Sequence, residues 1–431
     1  MIDTPAPRTL RRHQTITLSL LFLAGVVNFL DRTSLSIANS TVRAEMHLSA
    51  TQMGWLLSAF SLAYGVAQLP LIGLLDRAGT RAVLGGGLIL WSAAQMLTGL
   101  VRGFSTFIVL RVLLGFGEAP FYPSGVRSTR EWFSPAARAR ATAVMSSSQT
   151  IGLAIAPPIL TGIMLALGWR AMFIVLGAAG LVVAVAWIAF HRARQHTDLH
   201  EPEPQIPSHP GMQQHAEPAW RALIRQRTVW GMMLGWGGIN YTVWLYLAWL
   251  PGYLQAERHL SLAKSEWVAA VPFLAGAVGM LSSGALSDWL GRRGIPLTTV
   301  HRRNIVFGMI VSGASTFLVA RSGTTVEAVA GISGAIFFIH FAGTSGWGYV
   351  QAVSPLRYVA SLGALQNFAS FMIASAAPVL TGWLLDRTHS FSLALGVCSA
   401  VAMLGALSYA TLAAPSGMHL DQETQALTSG R

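Results

Sequence analysis

The sequence predicts an all-α membrane protein in which twelve transmembrane helices form two six-helix halves. Three observations predict it: long apolar runs recur along the chain, basic residues collect in alternate loops, and one charged loop motif occurs in each half. Hydrophobic residues make up 53% of the 431 residues and charged residues only 11%, whereas a soluble domain has about 25% charged residues. The chain therefore has too little polar surface to cover a soluble globule.

The apolar runs define the spans, because a hydrocarbon core about 30 Å thick takes roughly 20 helical residues. The first half has predicted spans at 16–38, 51–74, 81–101, 104–126, 140–165 and 169–190. The second half has predicted spans at 228–254, 266–289, 303–321, 325–350, 358–383 and 389–413. Several prolines among polar residues mark 191–227 as a cytoplasmic linker. The predicted domains are therefore residues 1–190, the linker 191–227, and residues 228–431.

The distribution of Lys and Arg predicts the orientation of the chain. If the N-terminus is cytoplasmic, that side of the membrane holds roughly 20 basic residues and the other side about seven, a bias of the kind that sets topology. Both termini and the linker are therefore predicted to be cytoplasmic. We expect a multi-pass protein of a bacterial-type inner (plasma) membrane that works as a monomer.

Several functional classes are excluded on composition. The formal charge is +12, but the basic residues occur singly or in pairs without a basic tail, so no nucleic-acid partner is expected. The single cysteine, Cys398, has no partner for a disulfide or a cysteine metal site. No Walker A sequence or catalytic cluster is present, so neither ATP-driven transport nor an enzyme is predicted. We expect no metal and no cofactor, and a proton gradient as the energy source.

An acidic-then-basic turn occurs at the same place in each half. Between spans 2 and 3 the sequence reads DRAGTR, and between spans 8 and 9 it reads DWLGRR. Glycine permits such a tight cytoplasmic turn, and arginine can pair with a carboxylate on a neighbouring helix. The alternative is a charged turn that only follows the positive-inside rule, but two copies in register favour a gating role. The predicted gating residues are Asp76, Arg77, Arg81, Asp288, Arg292 and Arg293.

These loops resemble the G-x-L-x-D-R-x-G-R-R motif of the major facilitator superfamily. Within that superfamily the chain is similar to the anion:cation symporter family in five segments, namely NFLDR at 28–32, RVLLGFGEAP at 111–120, WFSP at 132–135, GLAIAPP at 152–158 and GWR at 168–170. The resemblance covers essentially the whole chain and implies the major facilitator fold. It also implies a carrier of hexonates, hexuronates, glucarate or a related carboxylate, of the galactonate transporter type.

Two charged residues must lie inside span 1. If the span stopped before Asp31, its apolar run would reach only about 22 Å, which is short of the hydrocarbon core. A charge in mid-membrane costs several kcal/mol unless it faces a cavity or a partner. We hypothesise that Asp31 titrates while Arg32 meets a substrate carboxylate, so that an anion at Arg32 favours protonation of Asp31. The alternative is an adjacent ion pair with no role in transport.

Span 4 supplies a second pair of charges. Arg111 and Glu118 are seven residues apart, so they share one helix face about 10 Å apart and are too distant for contact unless their long side chains reach toward each other. Gly115 and Gly117 between them allow close approach of another helix. Glu118 falls near the middle of the span and is the best candidate for a proton carrier. The alternative is a structural ion pair that holds helices together.

The resemblance adds roles for these charges and for polar residues of other spans. It places Asp31 and Glu118 on the family's two proton-linked acids, and Arg32 and Arg111 on its two buried arginines. It also implies substrate contacts in spans 2, 5, 7, 10 and 11, although each such residue alone is equally explained by hydrogen bonding between helices. These predicted contacts are Tyr64, Gln149, Asn240, Tyr241, Thr344, Ser345, Trp347 and Asn367.

Taken together, the residues predict a proton-coupled symporter that imports a small organic anion, and the resemblance implies that this anion is a sugar acid. We expect alternating access, in which the two halves rock about a midplane site. Uptake of another carboxylate, such as an aromatic acid or a dicarboxylate, remains an alternative, as does anion exchange without proton coupling. A membrane enzyme or a sensor would need a catalytic cluster or an appended signalling domain, and the sequence offers neither.

Overall fold

The computed structural model describes residues 8–192, 223–354 and 358–413, and within these ranges it contains thirteen helices and no strand. The prediction of an all-α protein is therefore confirmed. The helices are α1 (Arg8–Ile37), α2 (Asn39–Glu45), α3 (Ala50–Thr98), α4 (Phe104–Glu118), α5 (Phe121–Trp132), α6 (Pro135–Phe190), α7 (Arg227–Ala256), α8 (Leu262–Arg292), α9 (Leu297–Val319), α10 (Thr325–Val353), α11 (Val359–Ala374), α12 (Ala376–Thr388) and α13 (Ser392–Thr411).

The twelve predicted spans all fall on these helices. Two long helices carry two spans each: α3 contains spans 2 and 3, and α6 contains spans 5 and 6. Two spans are each divided between consecutive helices, span 4 between α4 and α5 and span 11 between α11 and α12. Within the described ranges, eight segments are long and apolar enough to cross a membrane by length and composition. The helix pattern therefore follows the apolar runs of the sequence.

Glycines reverse the chain inside both long helices. Gly79 breaks α3 at φ 73° and ψ 165°, and Gly168 breaks α6 at φ 83° and ψ 164°. Side chains with a Cβ rarely adopt these backbone angles, so glycine is the residue that permits each turn. Gly294, between α8 and α9, also has a positive φ of 84°. The turns after spans 2 and 8 therefore both contain a glycine with a positive φ.

The chain forms two compact units, and the first contains residues 1–198, 246–270 and 378–390. It joins the predicted N-terminal half to the ends of three helices from later in the chain. The second unit contains residues 199–245, 271–377 and 391–431. Residues 193–222 of the predicted linker lie outside the described residues, and the division at residues 190 and 228 stays a prediction.

Within the first unit, α12 meets the beginning of α3. The Asp386 carboxylate accepts hydrogen bonds from the backbone N–H groups of Ala50 and Thr51 at 2.8 and 2.7 Å, and from the Thr51 hydroxyl at 2.6 Å. The first N–H groups of a helix have no partner within it, and a carboxylate there also offsets the helix dipole. Any side chain at Gly382 would collide with the Ala50 carbonyl. Asp386 therefore caps α3 across a tight helix contact.

The second unit has its own apolar core. Its buried centre brings together aromatic and aliphatic side chains of α7, α9, α10 and α13, including Trp236, Met309, Tyr349 and Tyr409. Gly235 lets α7 pack directly against the Tyr409 ring, because a Cβ there would lie 2.2 Å from a ring carbon. Close helix contacts of this kind are typical of membrane proteins, where small residues at the interface replace the hydrophobic driving force.

Candidate functional site

An ion pair lies inside the first unit, between spans 1 and 4. The Arg32 Nε donates to the Glu118 Oε2 at 2.8 Å, and the two side chains are 8% and 0% exposed. Such a pair is favourable in a dry interior only while both partners are present, because removing one leaves an uncompensated buried charge. Glu118 is therefore held by the arginine of span 1 and not by Arg111, its neighbour on the same helix face.

Asp31 is buried beside this pair but is not bonded to Arg32. Consecutive residues on a helix point in directions about 100° apart, so the two side chains diverge. Both Asp31 carboxylate oxygens are buried and have no hydrogen-bond partner within the described part of the chain. The charges of Glu118 and Arg111 act on the Asp31 carboxylate. The two acids expected to carry protons thus lie in one electrostatic cluster.

Arg111 is anchored to span 2. Its Nε donates to the backbone carbonyl of Leu56 at 3.1 Å, and the side chain is 1% exposed. Its Nη1 is buried and finds no hydrogen-bond partner among the residues that the structure covers. As the spacing on the helix predicts, Arg111 and Glu118 do not form a direct ion pair.

Aromatic rings of spans 1 and 2 surround the arginines. The Arg32 guanidinium carbon lies 5.0 Å from the centroid of the Phe29 ring, 5.3 Å from that of Phe60 and 4.7 Å from that of Tyr64. The Arg111 guanidinium carbon lies 5.2 Å from the same Phe60 centroid. The predicted residue Tyr64 is thus beside Arg32. Phe60 was not predicted from the sequence, although its position one helical turn before Tyr64 was the available signal.

Glycines of span 4 bring the neighbouring helices into contact. A Cβ on Gly115 would lie 2.5 Å from the Phe60 carbonyl oxygen, and a Cβ on Gly117 would lie 2.6 Å from the Trp91 backbone nitrogen. The close approach expected at these two glycines is therefore present. It places the Phe60 to Tyr64 turn of span 2 directly against the helix that carries Arg111 and Glu118.

Gln149 of span 5 is bonded to a tyrosine that the sequence did not single out. The Tyr122 hydroxyl donates to the Gln149 Oε1 at 2.9 Å. The charge of Arg32 and the hydroxyl of Tyr64 also act electrostatically on the Tyr122 hydroxyl. Gln149 and Tyr122 therefore extend the polar surface around Arg32 toward span 5.

The other predicted contact residues belong to the second unit. Asn240 donates from Nδ2 to the Trp236 carbonyl one turn earlier, and Thr344 donates to the carbonyl of the fourth residue before it. The Ser345 hydroxyl lies 2.8 Å from that of Ser283, and Trp347 is 44% exposed. Tyr241 is buried and Asn367 is half-buried. In span 11, Gln366 was missed, although it is fully buried and both amide atoms lack a partner within the described ranges.

The two repeated loops, after spans 2 and 8, differ in their contacts. In the first, Asp76 pairs with Arg127 at 2.9 Å, and Arg127 also holds Glu131 at 3.0 Å. Arg81 donates to the Ile188 carbonyl at the end of span 6. In the second, the Arg293 guanidinium stacks 3.8 Å from the Trp289 ring centroid. The side chains at the remaining loop positions predicted to act in gating are exposed, namely Arg77, Asp288 and Arg292.

The chemistry open to this cluster is exchange of ionic partners. Four buried ionisable groups carry two negative and two positive charges when all are ionised, and each of them has a buried polar atom without a hydrogen-bond partner among the described residues. The described ranges contain no group of three or more His, Cys, Asp or Glu residues that could hold a metal ion. The two buried arginines have donors for an anion, and the two buried carboxylates are groups that can take up a proton.

Comparison with known proteins finds a matching family model and several relatives of similar length. A family model described as Major Facilitator Superfamily matches residues 21–376. The chain is 47% identical to a protein of Escherichia coli named "Probable L-galactonate transporter", covering 93% of this chain and 89% of that protein. It is 32% identical to an Escherichia coli protein named "Probable galactarate/D-glucarate transporter", covering 91% and 93%.

Solved structures show the same fold. The crystal structure of a bacterial homologue of the human lysosomal transporter Spinster, in an inward-facing and unoccupied conformation, superimposes with a TM-score of 0.74. The match covers 97% of this chain and 98% of that one at 17% sequence identity. At that level of identity the likeness concerns the arrangement of helices alone.

Proposed function

This chain belongs to the Major Facilitator Superfamily, and from that premise we propose that it is a proton-coupled symporter that imports a sugar acid. Like its relatives, which are named as transporters, the chain is a multi-pass membrane transporter and not an enzyme. Beyond the family, we propose the class of substrate, the coupling to protons and the direction of transport. Energy comes from a proton gradient, no cofactor takes part, both termini face the cytoplasm, and the working unit is a monomer.

The substrate class follows from the names of the relatives together with the site. One relative is named for L-galactonate and another for galactarate and D-glucarate, all of them hydroxylated carboxylates. Arg32 and Arg111 supply donors for a carboxylate, because guanidinium groups match its geometry. Tyr64, Tyr122 and Gln149 supply hydroxyl and amide groups beside Arg32. These side chains suit an anion that also carries hydroxyl groups.

The observation that carries the proposal is the buried ion pair between Arg32 and Glu118 at 2.8 Å. A substrate carboxylate that binds Arg32 competes with Glu118 for the same guanidinium. A carboxylate released from its partner in a dry interior is costly, so it takes up a proton. One anion that enters with one proton leaves the total charge of the cluster unchanged. Anion binding and protonation are therefore coupled through a shared arginine.

Asp31 provides a second protonation site. Its carboxylate has no hydrogen-bond partner in the described ranges and lies within the field of Glu118 and Arg111. Two like charges in one buried cluster disfavour each other, so the proton occupancies of Asp31 and Glu118 are linked. In the proposed cycle the loaded and neutralised protein turns by alternating access, because neutral side chains cross the barrier at the lowest cost.

The direct test is uptake into proteoliposomes with an imposed proton gradient. L-galactonate, D-glucarate, galactarate and a hexuronate are offered one at a time, with an aromatic acid and a short dicarboxylate as comparisons. We expect gradient-dependent accumulation of at least one sugar acid and its loss when a protonophore is added. Accumulation that does not respond to the protonophore would instead show exchange, and accumulation of none of the acids would overturn the proposal.

A further inference from the structure

One aromatic ring contacts both buried arginines. Phe60 is fully buried in span 2, and the guanidinium carbons of Arg32 and Arg111 lie 5.3 and 5.2 Å from its centroid. A cation within about 6 Å of a ring centroid is attracted by the negative π face, most strongly where water is excluded. These two arginines come from different helices, spans 1 and 4. Both cations therefore contact the same uncharged ring, that of Phe60.

Each arginine is held in the same way and leaves a donor unused. The Arg32 Nε is fixed by the Glu118 carboxylate, and the Arg111 Nε is fixed by the Leu56 carbonyl. Nη2 of Arg32 and Nη1 of Arg111 are buried and have no hydrogen-bond partner in the part of the chain that the structure describes. A guanidinium fixed at one edge and one face still presents its remaining N–H groups to a ligand.

The backbone of span 2 is placed so that Phe60 can take this position. Gly115 has no side chain, and any Cβ there would meet the Phe60 carbonyl at 2.5 Å and the Tyr64 nitrogen at 3.0 Å. Leu56, Phe60 and Tyr64 follow one another at intervals of four residues and thus share one helix face. That face contacts Arg111 through Leu56 and Phe60, and Arg32 through Phe60 and Tyr64.

We propose that Phe60 is a positioning residue of the anion site, whose ring holds Arg32 and Arg111 so that both present their unused N–H groups to one substrate. This inference rests on the proposed function in that the substrate is an anion. Phe60 does not itself bond the carboxylate. It fixes the two cations that do, and it lowers the cost of keeping two positive charges close together in a dry interior.

The test compares variants that change the ring and those that preserve it. Phe60→Leu removes the π face and keeps an apolar side chain, and we expect it to raise the apparent KM for the sugar acid about tenfold with a smaller effect on kcat. Phe60→Tyr keeps the ring and should stay within about threefold of the wild type. The matched control is Phe173→Leu, since Phe173 is also fully buried but packs against Phe107 and Trp169.

The role is contradicted if Phe60→Leu raises KM no more than Phe173→Leu does, or if Phe60→Tyr is as impaired as Phe60→Leu. A wild-type protein that carries no sugar acid would overturn the proposed function and not this inference. A double-mutant cycle in thermal unfolding then decides, with Phe60→Leu, Arg111→Gln and the double variant. If the melting-temperature changes of the two single variants do not add up to that of the double variant, the contact between Phe60 and Arg111 is supported. If they do add up, the contact is overturned.

Discussion

At the scale of single residues, the Arg32 to Glu118 contact determines what each charge can do. Both side chains are almost fully buried, so loss of one charge leaves the other without compensation. The partner of Glu118 lies on another helix, and Arg111 on its own helix bonds to a backbone carbonyl instead. Substitutions at these positions therefore report on coupling between spans 1 and 4.

Replacing Glu118 with Gln should uncouple transport from the proton gradient. The amide keeps the size of the side chain but cannot take up or release a proton, and it leaves Arg32 free for an anion. We expect gradient-driven uptake to fall at least about tenfold while exchange of labelled for unlabelled substrate persists. Proteoliposome uptake and counterflow measure the two activities.

The matched control is Glu131→Gln, because Glu131 also pairs with an arginine but lies beyond the predicted end of span 4 at residue 126. Its uptake should stay close to that of the wild type. If Glu118→Gln retains driven uptake and counterflow at wild-type levels, Glu118 carries no proton.

Sequence reasoning found the buried charges because few charged residues interrupt the apolar runs. It left an adjacent ion pair of Asp31 and Arg32 as an alternative, whereas the structure pairs Arg32 with Glu118. The spacing of residues along one helix cannot show which other helix packs against it. Phe60 was missed for a related reason: an aromatic residue in a span is common, and only the position of two arginines from other helices gives it a role.

At the scale of helices, glycine residues occupy the turns between three pairs of consecutive spans. The turns at Gly79, Gly168 and Gly294 fall where the sequence places short loops, because positive φ values favour glycine. The ends of span 4 were less predictable. Its helix restarts at Phe121 and continues to Trp132, six residues beyond the predicted end, because polar residues can extend a helix past the hydrocarbon core.

The cap of α3 by Asp386 gives a prediction at this scale. Asp386→Ala removes the acceptor of three hydrogen bonds and leaves two backbone N–H groups unpaired. We expect a loss of about 1–2 kcal/mol in the free energy of unfolding. Denaturant unfolding in mixed micelles measures it.

Thr51→Val serves as the graded comparison, because it removes only the hydroxyl bond and keeps both backbone bonds to Asp386. Its loss should be clearly smaller than that of Asp386→Ala. Equal stability of the Asp386→Ala variant and the wild type would show that the cap contributes nothing.

At the scale of the whole molecule, the sequence predicts where the spans lie better than which helices neighbour one another. Apolar runs and Lys/Arg bias are properties of each segment alone. Neighbours are chosen by packing of small residues and by hydrogen bonds, since lipid is as apolar as the helices. Residues 246–270 and 378–390 belong to the first unit and have such contacts with its N-terminal helices, for example the bonds from the Ser36 hydroxyl to the Ala248 carbonyl and from the Ala50 N–H to the Asp386 carboxylate.

Cysteine labelling tests the predicted direction of the chain. Cys398 is the single cysteine of the sequence and is fully buried, so the wild type should remain unlabelled by a membrane-impermeant thiol reagent. In intact cells, Arg102→Cys should be labelled, because this loop is predicted to lie outside. Arg293→Cys should be labelled only after permeabilisation. The opposite pattern for the two variants would reverse the topology.

The Asp386 cap has a kinetic consequence. All three of its hydrogen bonds end on the same carboxylate, so separation of α12 from α3 breaks them in one event instead of loosening them one by one. Under an applied force, α3 and α12 then stay together up to a limiting force and separate completely above it. Partings of α3 and α12 would be infrequent, and each would be complete. A time-resolved record of a single molecule would therefore show abrupt steps between two levels, and Asp386→Ala would shorten the dwell time in the closed level.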